Sequence, residues 1–229
     1  TILLDVGEKS EGEKKESWQE KITTSNAKRS LIPYLKSRGL SKIDQLVLTT
    51  SEPRQLDHVL EISKTFVLGE IIVTEEALSK REFMDGLKQS KVNVRAVQRG
   101  EKLFVFGSHL EVITTQDKDK KDSIAMYGKL LHQTFLVAGN IEENSLTSYD
   151  PKLQADVLIT HQSSSKKKSD VEVFKTLQPK MTVMSVDKKK RFKVINQEDK
   201  EVENAIYKTD KSGAIRFKGW SSWKIETVR

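Results

Sequence analysis

The fold of this chain is decided by the stretch Leu46-Val47-Leu48-Thr49-Thr50-Ser51-Glu52-Pro53-Arg54-Gln55, in which a buried strand turns directly into a helix. The apolar residues 46–48 predict the strand, and Pro53 predicts the first turn of a helix that carries Leu56 and Val59. Functional sites in α/β proteins are usually built from loops at the carboxyl ends of strands. The polar turn between this strand and this helix is therefore the first candidate site.

Strand-and-helix units lie on both sides of this turn. Apolar patterns predict helices over residues 25–39, 53–60 and 75–89, near 170–177 and around 197–204. They predict strands over residues 1–5, 45–49, 70–74, 93–97, 102–106, 110–114, 123–129, 133–138, 156–160, 181–186, 205–209, 214–218 and 223–227. Residues 8–24 lack an apolar period and predict a long loop. The order of elements predicts an α+β fold, an αββα four-layer sandwich of two mixed sheets flanked by helices, in one domain over residues 1–229.

The composition excludes several classes of protein. The 229 residues contain 40 Lys and Arg against 33 Asp and Glu, a net charge of +7, and no cysteine. Without cysteine there are no disulfides, thiol nucleophiles or cysteine zinc sites, and four histidines limit any histidine metal site. No stretch approaches the ~18 apolar residues of a membrane span. The basic excess permits an anionic partner without requiring one.

Five strand-end loops carry the polar residues that bear on function. They begin at Asp5, Thr49, Gly139, Thr160 and Ser185. In this order they resemble the loops of the metallo-β-lactamase superfamily, and more closely those of the C-terminal domain of ComEC-type competence proteins. That domain has the motifs Pro-Tyr-Leu-Lys-x-x-Gly, matched at 33–39, and Tyr-Lys-Thr-Asp-x-x-Gly-Ala-Ile-x-Phe, matched at 207–217. The resemblance extends over nearly the whole chain and implies a sandwich of metallo-β-lactamase type.

The resemblance also implies where a metal site would lie. Relatives with intact motifs resemble dinuclear Mn or Zn enzymes, whose cations are held by several His and Asp side chains. The family's ligand positions fall on Thr50, Glu52, Arg54, Gln55, Asn140, His161 and Gln162. Arg54 brings a permanent positive charge to the cation site, and Asn140 replaces a bridging carboxylate with a neutral oxygen. We therefore expect no catalytic residue, no metal or other cofactor and no small-molecule substrate.

Two other interpretations stay open. Asp57 and His58 would form a displaced Asp-His pair, although the pair lies three residues late, almost one helical turn. Together with Glu52 and His161 it would make the rearranged metal site of a DNA nuclease, a phosphodiesterase. The other interpretation is a purely structural interaction domain without a role in DNA binding.

Basic runs after two of the strands predict contact with phosphates. These runs consist of Lys166, Lys167 and Lys168, and of Lys188, Lys189, Lys190 and Arg191. If both lie at the rim of the former metal site beside Arg54, their charges add up to a positive groove suited to single-stranded DNA.

The leading interpretation is a non-catalytic metallo-β-lactamase-like domain of a competence protein that forms a DNA-uptake channel. The resemblance implies three partners: single-stranded DNA during transformation, the membrane channel portion of the same protein, and other uptake components. It also places the domain at the cell membrane, and the lack of cysteine and of an apolar span is compatible with the extracytoplasmic face.

Overall fold

The computed structural model divides the chain into two compact units, residues 1–97 and residues 98–229. It describes residues 1–7, 25–105, 107–116, 122–130, 132–139, 153–161, 177–185, 205–218 and 224–228. The predicted loop at 8–24, the predicted helix around 197–204 and nearly all of that near 170–177 lie outside the described residues. The prediction of a single domain over residues 1–229 stays a prediction.

The first unit contains a four-stranded parallel sheet. Its strands, in spatial order, are β1 (Ile2–Leu4), β2 (Lys42–Val47), β3 (Val67–Val73) and β4 (Asn93–Ala96). Every adjacent pair is parallel, as expected when helices cross between strands. Gly69 allows β2 and β3 to approach closely, because a Cβ there would lie 2.3 Å from the carbonyl oxygen of Asp44. The strands predicted for this part of the chain are confirmed, with ends shifted by a few residues.

Short helices connect these strands. They are a π-helical turn (Ala27–Leu31) continuous with α1 (Ile32–Ser37), a 3₁₀ turn (Pro53–Gln55) continuous with α2 (Leu56–Thr65), α3 (Glu75–Ser79) and α4 (Arg81–Lys88). The prediction of one helix over residues 75–89 is wrong at Lys80, whose extended backbone (φ −82°, ψ 92°) separates α3 from α4. The spacing of apolar residues does not predict this break, because their helical periodicity continues from α3 into α4. Thr74 caps α3 by accepting a hydrogen bond from Ala77 N at 3.1 Å.

One face of the parallel sheet packs against these helices. The central members of the buried cluster are Leu46, Ile71 and Val73 of the sheet and Val59, Ile62, Phe83 and Leu87 of the helices. Full burial of each such side chain contributes about 1.5–3 kcal/mol relative to exposure in water. The core therefore holds the sheet rigidly beneath the loops that leave its carboxyl edge.

The second unit contains a seven-stranded mixed sheet and a separate two-stranded sheet. The large sheet has the spatial order β11 (Ala205–Lys208), β10 (Met181–Ser185), β9 (Val157–His161), β8 (Gln133–Gly139), β7 (Asp122–Leu130), β6 (Ser108–Gln116) and β5 (Lys102–Val105). Neighbours from β5 to β8 are antiparallel and neighbours from β8 to β11 are parallel. The small sheet pairs β12 (Ala214–Lys218) with β13 (Lys224–Val228), and α5 (Thr209–Ser212) precedes it. The predicted strands of this unit are confirmed.

Asp156 anchors the start of β9 at the edge opposite the strand carboxyl ends. Thr134 donates from N and Oγ1 to Asp156 Oδ2, both at 2.8 Å, and Lys180 Nζ lies 2.7 Å from Asp156 Oδ1. Burial raises the pKa of this carboxyl, but the bonds from Lys180 and Thr134 outweigh it and hold the pKa below its ordinary 3.8. These contacts tie together the beginnings of β8, β9 and β10.

Among the helices that the structure describes, none has the length and apolar character needed to cross a membrane.

Candidate functional site

The loops that follow β1, β2 and β3 meet at one edge of the first sheet. Because the three strands are parallel neighbours, their carboxyl ends lie side by side. The segments 5–7, 48–55 and 74–75 therefore form one polar edge, which we call the strand-end edge. It contains Thr50, Glu52, Arg54 and Gln55, the candidate metal positions that precede β4.

Asp5 fixes the start of the 49–55 turn. Its Oδ1 accepts a hydrogen bond from Thr49 N at 2.8 Å, and its Oδ2 accepts one from Thr49 Oγ1 at 2.6 Å. Asp5 N donates to Val47 O at 2.8 Å. The φ angle of Asp5 is 56°, a left-handed conformation that Asp adopts more readily than most residues. Asp5 thus ties the loop after β1 to the turn after β2.

Two of the positions that the resemblance assigns to metal ligands bind each other. Gln55 Nε2 donates to Thr50 Oγ1 at 3.1 Å, and the two residues are only 4% and 9% exposed. Gln55 Oε1 is buried and has no hydrogen-bond partner among the described residues. Glu52 is half-buried, and Arg54 is exposed on the 3₁₀ turn. The turn therefore brings Thr50 and Gln55 into contact, while Arg54 lies on its exposed side.

His58 lies on the inner side of α2, beneath this edge. It is completely buried, and its Nδ1 lies 3.1 Å from Val6 O and 3.0 Å from Gly7 O. Since a carbonyl oxygen only accepts, Nδ1 carries the hydrogen, and Nε2 is left without a partner among the described residues. Asp57 is exposed, because successive residues on a helix point about 100° apart. The structure does not bring Asp57 and His58 together as a ligand pair.

Sequence reasoning missed Lys80, which also belongs to this edge. Lys80 Nζ lies 2.5 Å from Ser51 Oγ and 4.0 Å from Glu76 Oε1. The break between α3 and α4 positions this ammonium group against the 49–55 turn. The only signal in the sequence is that Lys80 follows β3 closely. The strand-end edge therefore carries a second cation besides Arg54.

The remaining predicted site residues belong to the second unit. His161 ends β9 and lies in register with Ser185, which ends the parallel strand β10. The segments that follow these two strands therefore leave from adjacent points of one edge. They contain Gln162, Lys166, Lys167, Lys168, Lys188, Lys189, Lys190 and Arg191, which with Asn140 lie outside the described residues. Their roles stay predictions.

The strand-end edge, as far as it is described, does not fit a two-cation centre. Thr50 offers a hydroxyl and Gln55 an amide, while the guanidinium of Arg54 has no lone pair to give. Zn²⁺ and Mn²⁺ sites need several imidazole, thiolate or carboxylate ligands. Across the described ranges, no three His, Asp or Glu side chains converge in a way that would hold a metal ion. The charged groups that the structure places at this edge are the guanidinium of Arg54, the ammonium group of Lys80 and the carboxylate of Glu52.

Comparison with solved structures defines the class of protein. A putative metal-dependent hydrolase from Parabacteroides distasonis is similar with a TM-score of 0.54 and 12% identity, over 74% of this chain and 77% of the other. The metallo-β-lactamase fold protein YhfI from Bacillus subtilis is similar with a TM-score of 0.53 and 12% identity, over 78% of each chain. At such identities the likeness shows the fold alone. The chain has the metallo-β-lactamase fold, as the order of its loops predicted.

In sequence, the chain is similar to ComE operon protein 3 of Bacillus subtilis (strain 168). The two are 22% identical over 95% of this chain, and the chain spans 30% of the length of that relative. No family model matches the chain. The predicted resemblance to ComEC-type proteins is confirmed by this match.

Proposed function

We propose that this chain is a non-catalytic metallo-β-lactamase-fold domain of a competence DNA-uptake protein and that it contacts single-stranded DNA during transformation. Since the chain spans 30% of ComE operon protein 3, the remainder of such a protein would supply the membrane channel. The domain would lie at the cell membrane, on the extracytoplasmic face, where it meets incoming DNA and other uptake components.

The observation that carries the non-catalytic role is the contact between Gln55 and Thr50. The resemblance implies that both positions hold metal ligands in metal-dependent relatives, whereas here the amide and the hydroxyl bind each other at 3.1 Å. A hydrolase of this type needs a cation that lowers the pKa of the attacking water and stabilises the leaving oxygen. The residues of the 49–55 turn offer that cation a single carboxylate, Glu52, beside the positive charge of Arg54.

The distribution of cations supports the contact with DNA. Arg54 and Lys80 place two positive groups at the strand-end edge, and the chain as a whole has a net charge of +7. In the second unit, His161 and Ser185 are paired at the ends of the parallel strands β9 and β10. This pairing supports the proposal that the two predicted basic loops begin next to each other. Cations gathered on one surface attract phosphates and release the counterions that those phosphates hold.

A salt titration of oligonucleotide binding tests the proposal. Each phosphate contact gives a slope of roughly −0.7 in log K against log salt for single strands, so three to five contacts predict about −2 to −3.5. Lys167→Glu, Lys189→Glu and Arg191→Glu together should abolish binding. The matched control reverses three exposed lysines elsewhere, Lys36, Lys64 and Lys129, and should keep most of the affinity.

Two outcomes would contradict the proposal. If the wild-type chain does not bind the oligonucleotide at low salt, or if the variant binds as well as wild type, the structural interaction domain without a DNA role is the better interpretation. Metal-dependent cleavage of the oligonucleotide would instead favour the nuclease with a rearranged site.

A further inference from the structure

The two-stranded sheet of the second unit has one charged and one apolar face. Residues paired across β12 and β13 lie on the same face, and successive residues alternate between faces. Arg216 is paired with Glu226 and Lys218 with Lys224, and all four share one face. We call this the charged hairpin face.

The opposite face attaches the hairpin to the rest of the unit. Phe217 pairs with Ile225 on that face, next to Ile215. The ring of Phe217 meets the ring of Phe135 in β8 edge-to-face, with centroids 5.9 Å apart. The apolar face is used for packing, while on the opposite face Lys218 and Lys224 are exposed and Arg216 and Glu226 are half-buried.

The charged hairpin face has more cations than its own carboxylate can neutralise. Arg216 Nε donates a hydrogen bond to Glu226 Oε2 at 3.1 Å, and Lys218 Nζ donates one to Glu226 Oε1 at 3.1 Å. Their hydrogen bonds lower the pKa of Glu226 to about 2, so this carboxylate stays ionised at neutral pH. Three cations against one anion leave a net charge of +2. Lys224 has no partner among the described residues.

The pairing of Lys218 with Lys224 is unfavourable for the hairpin itself. Like charges placed directly opposite one another in an antiparallel pair destabilise it. The ion pair between Lys218 and Glu226, at 3.0 Å, offsets part of this repulsion, and Lys224 is left without such a pair among the described residues. The arrangement therefore favours an anionic ligand that would relieve the repulsion.

We infer that the charged hairpin face, through Arg216, Lys218 and Lys224, is a second contact site for the phosphates of single-stranded DNA. This inference rests on the proposed DNA contact and adds three residues of the hairpin to those proposed to contact the strand. The hairpin would hold the strand by its backbone, without reading its sequence.

The chemistry of this face favours phosphates over other anionic partners. Protein partners are usually held by buried aromatic or aliphatic anchors, whereas among the described residues of this face the nearest neighbours of Lys218 and Lys224 are the charged Arg216 and Glu226. Acidic membranes are recognised by larger basic clusters of about four to eight residues, and this face has three. A nucleic-acid backbone needs only spaced cations.

Two variants with opposite expected effects test this inference. Lys218→Gln with Lys224→Gln removes two contacts, so the slope of log K against log salt for a labelled single-stranded oligonucleotide should become shallower by about 1.4. Glu226→Gln removes the competing carboxylate and should tighten binding. The matched control, Lys64→Gln with Lys129→Gln, removes the same charge from exposed positions elsewhere and should leave the slope unchanged. Thermal unfolding of each variant shows that the fold is retained.

The outcomes separate this inference from the proposed function. If wild type binds and the lysine double variant keeps the wild-type slope, the hairpin inference is overturned while the DNA contact of the basic loops stands. If wild type does not bind at low salt, both fail. Loss of binding to polyglutamate or to phosphatidylserine vesicles in the double variant, with DNA binding unchanged, would also overturn the inference in favour of another anionic partner.

Discussion

The carboxylate of Asp5 accepts two hydrogen bonds from Thr49 across 44 residues of sequence, one from the backbone N at 2.8 Å and one from the hydroxyl at 2.6 Å. Thr49 immediately precedes Thr50, the first of the positions that the resemblance assigns to metal ligands. Asp5, in the loop after β1, therefore holds the first residue of the turn in place. This contact does not involve the side chains of residues 50–55.

Asp5→Ala should lower the free energy of unfolding by about 2–4 kcal/mol, because it removes hydrogen bonds to a charged acceptor and places Ala in a left-handed conformation. Asp5→Asn, which tolerates that conformation and keeps one acceptor, should cost less. Urea unfolding measures both. Glu82→Gln on the exposed side of α4 is the control and should stay within about 0.5 kcal/mol of wild type. Equal stability of Asp5→Ala and the control would show that the contact does not anchor the turn.

The purified chain should retain no stoichiometric Zn²⁺ or Mn²⁺ after dialysis, because the ligand positions carry Thr50, Arg54, Gln55 and Asn140. Elemental analysis of the dialysed protein measures the metal content. One or two tightly held ions per chain would contradict the expectation and point to ligands outside the described residues.

Added Mn²⁺ or Mg²⁺ should produce no cleavage of single- or double-stranded DNA above background, since water activation needs a bound cation. The measurement is a gel assay of end-labelled strands. Cleavage that disappears in a His161→Ala variant would overturn this prediction and support the nuclease interpretation.

Much of the fold follows from local patterns in the sequence. Gly107 lies between the antiparallel strands β5 and β6, and Gly100 lies just before β5. Their φ angles are 73° and 87°, which are positive values that glycine adopts readily. Apolar alternation and such turns are local, so they can be recognised without a structure. The break at Lys80 is not local in this sense, because it accompanies a contact with Ser51, 29 residues away.

The site was only partly predictable for the same reason. Spacing from the 46–48 strand correctly identified the turn that holds Thr50 and Gln55. It could not show that His58 is buried, because its partners Val6 O and Gly7 O lie 52 and 51 residues away. A histidine next to an exposed Asp57 looks like a ligand candidate in sequence, although the fold uses it to hold the loop after β1.

The stability contributed by Asp156 should depend on pH. Its pKa in the folded protein is below 3.8, so the stabilisation is fully present above the pKa of the unfolded chain and is lost as pH falls through the folded value. Asp156→Asn should destabilise the protein at pH 7 by about 1–3 kcal/mol, since bonds to a charged acceptor are weakened. Urea unfolding at falling pH should show the difference between wild type and variant shrinking below about pH 4. A difference that is constant from pH 7 to pH 3 would contradict this linkage.

Placing the ligands that the resemblance implies into the 49–55 turn should create a metal site. Two ligands of one tetrahedral Zn²⁺ lie about 3.3 Å apart, given metal–nitrogen distances near 2.0–2.1 Å. Thr50 Oγ1 and Gln55 Nε2 lie 3.1 Å apart, so the side chains of positions 50 and 55 already meet in this turn. The triple variant Thr50→His, Arg54→Asp, Gln55→His would replace a hydroxyl, a cation and an amide with two imidazoles and a carboxylate. We expect it to hold one Zn²⁺ per chain through dialysis, measured by elemental analysis, while the single variant Gln55→His holds none. If the triple variant folds like wild type by circular dichroism and still takes up no zinc, the turn is not positioned for a cation, and the replaced ligands do not explain the difference from metal-dependent relatives.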